Sequence, residues 1–223
     1  MESILKKIRV DVSPSLYLKD PFSSELGISI VREGSLMIQE LGLEHFTFKK
    51  LASKIGSTEA AIYRYFENKH KFLLYLSAWY WAWLEHNFVF ATANLIDPEE
   101  RLSLAIQLMV EGPIYRQNDY LDPDLLRYIV VNESLKGYLT KEVDTEHESG
   151  IFLQVYKFTD RVTSLIKEIN PSYLFPKTLV STLMESSLMK SFNSQHMPGM
   201  IDSRTDGGDR FKFFHQLVKK AIS

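Results

Sequence analysis

Residues 47–69, TFKKLASKIGSTEAAIYRYFENK, gather the side chains of this 223-residue chain best able to act on a charged partner. Lys49, Lys50, Lys54, Arg64 and Lys69 are cations, Thr47 and Thr58 carry hydroxyls, Tyr63 and Tyr65 carry phenols, and Glu59 and Glu67 are the acids among them. Such a set suits hydrogen bonds and charge contacts to phosphate oxygens rather than the breaking of covalent bonds. The chain has no cysteine, which removes thiolate nucleophiles, disulfides and thiolate metal sites together. It has no Gly-x-Ser-x-Gly turn, no glycine-rich phosphate loop and no metal-type histidine pair at helical spacing, each of which would announce a reaction class. Glu146, His147 and Glu148 could hold a cation, but they stand in the charged run KEVDTEHESG, where solvated side chains are expected. No catalytic residue, metal or cofactor is expected.

Spacing within the segment decides how these groups are presented. In a helix-turn-helix the first helix needs a small residue at the crossing, and the turn needs a residue that accepts a left-handed backbone. The second helix must return one apolar side chain between them. Ala52, Gly56 and Ile62 stand at those places, with Leu51, Ile55 and Phe66 completing the inner faces. Thr47 and Thr58 are placed to cap the two helices. Tyr65 and Phe66 read as core aromatics, Tyr63 as a half-buried aromatic or a phosphate contact, and Lys49 with Lys50 as a solvated pair or as phosphate contacts. Between residues 45 and 71 six basic residues meet two acidic ones, a net +4, so with −2 on the whole chain the remainder carries −6. A basic head on an acidic body is the layout of a protein that turns one end to nucleic-acid phosphates.

The motifs Gly42-Leu43, Thr47 to Leu51-Ala52, Gly56-Ser57-Thr58, Tyr63-Arg64-Tyr65-Phe66 and Lys69 resemble those of the TetR-like transcriptional regulators. The resemblance covers residues 24–75, and beyond that it concerns architecture alone. It implies a reading helix in the major groove of a double-stranded DNA operator, with Glu59, Ala60 and Ala61 against base edges and Tyr63, Arg64 and Lys69 on phosphates. Thr47 and the first backbone N–H groups of its helix would hold another phosphate. Two positions depart from the family pattern: Ser57 replaces the usual apolar residue after the turn glycine, and Glu59 stands where a basic or polar residue is common. A carboxylate at 59 either accepts from a cytosine amino group or repels phosphates.

The resemblance further implies a homodimer whose last two helices form a four-helix bundle with their mates. Leu183, Leu188 and Phe192 would serve on one helix, and Phe211, Phe214 and Val218 on the other. Ordinary packing within one subunit is the competing reading. An effector is expected to pack against Trp79 and Trp83 on the helix after the reading head, with Met109, Tyr115, Asn132, Phe152 and Tyr156 as candidate walls. Simple core is the competing reading there, and a helix edge in water for Asn132. The functional expectation is a repressor released from a palindromic operator by a small apolar or aromatic effector. The alternative, prompted by Glu59, is a helical small-molecule-binding or protein-interaction module without tight DNA recognition.

The elements that must position these groups read as helix after helix, an all-α chain. Ser23 or Ser24 caps a helix with Leu26, Ile30, Met37 and Leu41 on one face, ending at Gly42, and Gly34 inside it predicts a close neighbouring helix. Short helices at 47–55 and 58–65 follow, then a long one capped by Asn68 with Phe72, Leu76, Trp79, Trp83, His86 and Phe90 on one stripe. Asp97-Pro98 and Asp122-Pro123 open two more, and further helices are expected over 147–169, 172–195 and 211–222, with a mobile loop at 197–209. The expected division is an extension at 1–22, a three-helix helix-turn-helix DNA-binding domain at 23–67 and a larger helical ligand-binding and dimerisation domain at 68–223. Lys6, Lys7 and Arg9 of the extension read as a solvated segment or as an arm for a minor groove. No secretion signal is evident and no apolar run reaches the roughly 20 residues of a membrane span, so the expected location is the cytoplasm.

Overall fold

The computed structural model describes residues 6–202 and 207–223, and among them helices, turns and irregular segments account for the chain. The α-helices are α1 (Glu25–His45), α2 (Phe48–Lys54), α3 (Glu59–Tyr63), α4 (Lys69–Thr92) and α5 (Pro98–Glu111), followed by α6 (Pro123–Tyr138), α7 (Val143–Glu148), α8 (Leu153–Ile169), α9 (Pro176–His196) and α10 (Gly207–Ile222). Short 3₁₀ turns lie at Pro14–Leu16, Pro21–Ser23 and Pro198–Met200. Of the expected loop at 197–209, residues 203–206 lie outside the described residues.

Local chemistry sets the helix starts. The side chains of Ser24, Thr47, Thr58, Asp97 and Asp122 each accept a hydrogen bond from a first-turn N–H of the helix that follows, and Asn68 Oδ1 accepts from Lys71 N at 2.8 Å. Such caps contribute about 1 kcal/mol each.

The chain resolves into two compact units, Met1–Trp83 with Tyr115–Gln154, and Leu84–Ile114 with Val155–Ser223. In the first, α1 packs on α2 and α6. Gly34 meets the close neighbour expected of it: a Cβ built there would lie 2.6 Å from the Phe72 ring of α4. Phe72 in turn lies parallel to Phe46 at 5.6 Å and meets the edges of Phe66 at 4.9 Å and Phe48 at 6.4 Å. The apolar stripe expected of α4 is instead an entirely buried segment, since every residue from Phe72 to Trp83 is enclosed, as befits a helix that is hydrophobic all round.

Two further expectations are met only in part in this unit. The charged run before residue 150 keeps Glu142, Asp144, His147 and Glu148 exposed as expected, but it forms α7 rather than a linker and turns Glu146 inward, 4% exposed. Its Oε1 accepts from His70 Nε2 at 2.8 Å and Lys71 Nζ at 2.9 Å, partners that make burial of a carboxylate tolerable. In the segment before α1, Lys7 and Arg9 are exposed as expected, while the apolar Val10 and Leu16 are buried, each worth roughly 1.5–3 kcal/mol.

In the second unit α5 packs on α9 and α10. The small Ser187 of α9 allows this approach and donates to Met109 O at 3.1 Å. Arg161 of α8 holds Glu85 at 2.5 Å, although burial still pushes the Glu85 carboxyl above its usual range. Asn170 Nδ2 donates to Ile222 O at 2.9 Å and fixes the end of α10.

Candidate nucleic-acid interface

The turn between α2 and α3 closes in a Schellman arrangement. Gly56 takes φ +65° just past the helix end, and Ser57 N donates to Ala52 O at 2.9 Å, the bond from the second residue beyond the cap to the third before it that defines this motif. Ser57 supplies that N–H as well as an apolar residue would, so its departure from the usual pattern leaves the turn intact. Leu51, Ala52, Ile62 and Phe66 are buried, and Ile55 is half-buried. Thr47 Oγ1 accepts from Lys50 N and Thr58 Oγ1 from Ala61 N, both at 3.2 Å. Each oxygen accepts one bond within the protein and keeps its O–H to donate outward.

What remains outward is a low surface edged by charge. Ala60 is exposed, Glu59 and Ala61 are half-buried, and Tyr63 is 46% exposed with its ring edge-on to Phe48 at 5.2 Å. Tyr63 OH donates to Glu59 Oε1 at 3.4 Å, a long and weak contact that nevertheless aims the carboxylate along α3. Lys49 and Arg64 are exposed and enter no ion pair among the described residues.

The other cations are partly committed. Lys50 Nζ donates to His45 O at 2.9 Å. Lys54 Nζ sits 3.3 Å from Glu33 and 3.9 Å from Glu40 of α1. Lys69 Nζ donates to Leu43 O at 2.9 Å and Glu44 O at 3.3 Å, capping the end of α1 with two of its three N–H groups. One donor of Lys69 is left for an outside partner.

Sequence reasoning missed the role of Tyr65. It is buried as expected, but its hydroxyl is 2.7 Å from Ser24 Oγ and accepts from Lys19 Nζ at 3.3 Å. The hydrogen bond with Ser24, reinforced by Lys19, holds the phenol below its ordinary range. A tyrosine at the end of α3 facing a lysine and a serine upstream of α1 was the available signal, and no periodic pattern carries it.

Of the candidate effector residues, Trp79, Trp83, Tyr115, Asn132 and Phe152 belong to the first unit and Met109 and Tyr156 to the second. Trp79 and Trp83 are buried and stacked at 6.0 Å. Trp83 Nε1 donates to Tyr115 O at 2.9 Å, whereas the buried Trp79 Nε1 has no partner among the described residues. Phe152 is buried edge-on to Tyr138 at 5.6 Å. Asn132 Nδ2 donates to Tyr128 O of its own helix at 2.9 Å, an exposed contact that fits a helix edge. Among the described residues no group of acidic or histidine side chains, the 146–148 cluster included, is arranged to hold a metal ion.

On the last two helices, Leu183, Phe214 and Val218 are buried within their own unit, while Leu188, Phe192 and Phe211 are half-buried. The outward apolar side chains are Met189 on α9 with Phe213 and Leu217 on α10, the last two 56% and 46% exposed. No helix among the described residues is long and apolar enough to cross a membrane.

Residues 30–76 match the family model for bacterial regulatory proteins, tetR family. Comparison with curated protein sequences gives no match. Among solved structures, the chain is similar to the fatty acid degradation regulator FadR from Bacillus halodurans, at 20% identity and TM-score 0.57 over 85% of this chain and 96% of that one. It is similar also to AibR in complex with isovaleryl coenzyme A and operator DNA, at 16% identity and TM-score 0.56 over 85% and 95%. A TetR/AcrR-family regulator from Thermobifida fusca follows at 19% and 0.55 over 86% and 93%. At these identities the likeness is one of fold.

Proposed function

We propose that this chain, whose residues 30–76 match the family model for bacterial regulatory proteins, tetR family, is a homodimeric, effector-responsive transcriptional regulator acting as a repressor on a palindromic operator. The observation that carries the reading is the outward surface of the helix-turn-helix: a small exposed Ala60 and an outward Tyr63 on α3, the exposed cations Arg64 at its end and Lys49 on α2, and a turn closed through Gly56. A low face lets the helix approach base edges and the cations meet phosphates on either side. Residues 23–67 serve as the DNA-binding part and 68–223 as the sensing and dimerising part. Genomic fragments selected on the purified protein should share a two-fold-symmetric site with half-sites about 34–36 Å apart, and affinity for it should fall steeply with salt. Recovery of random fragments would favour instead a helical binding module without sequence recognition.

Two reading heads at a fixed spacing require a pair of subunits. We assign that contact to Met189, Phe213 and Leu217, the outward apolar side chains of α9 and α10, in place of Leu183, Phe214 and Val218, which their own unit uses. Phe213→Asp with Leu217→Lys should shift the protein from dimer to monomer in sedimentation while leaving its helical content largely unchanged, because both side chains lie at the surface and Phe213 meets the core through an edge contact with Phe214. Operator affinity should drop by about a hundredfold as the second half-site loses its tether.

The effector is proposed to have an apolar body and one acceptor oxygen. Support comes from the stacked Trp79 and Trp83 and from the unpaired Trp79 Nε1, since a buried indole N–H without a partner costs free energy that an incoming oxygen recovers. The similarity in fold to a structure holding isovaleryl coenzyme A, an acyl thioester, agrees with that chemistry. Preferential binding to one orientation of the reading head would lower operator affinity by the difference in affinity for the two states.

A further inference from the structure

Residues 6–24 carry no α-helix, yet they are fastened along their length. At one end Lys6 O accepts from Asp119 N and Ile8 O from Asn118 Nδ2, both at 2.8 Å. Further on Asp11 O accepts from Gln154 Nε2 at 2.6 Å, and Ser15 Oγ donates to Ser149 O at 3.2 Å. The buried Val10 and Leu16 hold the middle, and Tyr17 meets the edge of Tyr75 at 6.0 Å. At the other end Leu18 N donates to Tyr65 O at 2.8 Å, and Lys19 and Ser24 both reach the Tyr65 hydroxyl. Tyr65 N in turn donates to Ile62 O at 2.8 Å, the apolar anchor of α3.

The far attachment is a junction in its own right. Arg32 of α1 donates to the carbonyls of Asp119 and Tyr120, and Tyr120 meets the edge of Phe22 at 5.0 Å. The same loop begins at Tyr115, whose carbonyl receives the Trp83 indole N–H. A path of direct contacts therefore runs from the tryptophan pair through the loop and residues 6–24 to the end of the reading helix, alongside the route through α4.

We propose that residues 6–24 are a strap that couples the 115–120 loop to Tyr65, so that the orientation of α3 is set through the strap as well as through α4. The consequence for DNA rests on the regulatory reading above; the mechanical coupling does not. A segment buried in its middle and hydrogen-bonded at both ends moves with its attachments, and a contact path counts as coupling only when perturbing one end is felt at the other.

Asn118→Ala with Gln154→Ala removes two strap bonds without touching the DNA-facing surface or the buried Val10 and Leu16. Backbone amides of residues 18 and 62–66 should then exchange with deuterium about tenfold faster, and the selected operator fragment should bind about tenfold more weakly. Because the chain has no cysteine, Lys6→Cys with Asp119→Cys supplies a staple at a backbone-paired position. Oxidation should slow exchange at 62–66 and reduction of the same sample should restore it, a comparison indifferent to how well the first variant folds. Unchanged exchange at 62–66 in both variants would overturn the strap. Failure of the unaltered protein to bind any selected fragment would overturn the regulatory reading and leave the exchange result to decide the coupling.

Discussion

Phe72→Ala is expected to destabilise the first unit by about 3–5 kcal/mol, the range for emptying a large buried aromatic site. Phe46, Phe48 and Phe66 would all lose their common neighbour, and they belong to the connection after α1, to α2 and to the approach to α4, so one cavity loosens the aromatic packing that ties α1, α2 and α4 together. Urea titration followed by circular dichroism measures the effect. Gly34 supplies an internal control. Gly34→Ala alone should cost about 1–3 kcal/mol by overpacking, because its methyl would overlap the Phe72 ring. Combined with Phe72→Ala the same methyl enters vacated space, and the double variant should be more stable than the sum of the two costs predicts. Strict additivity would mean that the two residues do not share a packing site.

The largest effect on DNA should come from Lys49→Ala with Arg64→Ala. A dimer loses four cations by this change, and if each neutralises a phosphate the slope of log affinity against log salt should become shallower by about 3–4. Near 0.1 M salt the loss should reach about a hundredfold or more on every sequence, since phosphate contacts carry no base information. Glu59→Gln should act in the opposite direction, raising affinity a few-fold by removing a carboxylate from the groove side while keeping an acceptor for Tyr63. An unchanged salt slope in the double variant would place the phosphates elsewhere.

The helix starts and the turn were legible because their causes lie within a few residues. Ser24, Thr47, Thr58, Asn68, Asp97 and Asp122 cap as their types predict, and Gly34 marked a close helix because a mid-helix glycine needs a reason. What was illegible depends on partners distant in the chain. Glu146 looks solvated until His70 and Lys71 close on it, and Tyr65 looks like plain core until Lys19 and Ser24 reach it. Residues 6–24 look irregular because their bonds run to 65, 118, 119, 149 and 154 rather than to neighbours. The last helix shows a subtler limit. The spacing of Phe214, Val218 and Ile222 marks one face and sets Phe213 off it, as their burial shows, but spacing does not say whether that face meets its own unit or a second subunit, and here it packs on α5.

Trp79, Trp81 and Trp83 are the only tryptophans of the chain, and all three are buried in one stretch of α4 within the first unit. Intrinsic fluorescence of this protein is therefore a local gauge, blind to the melting of α9 and α10 unless that melting reaches the stretch from 79 to 83. Comparing its transition midpoint with that of a whole-chain signal would measure how cooperatively the two units unfold.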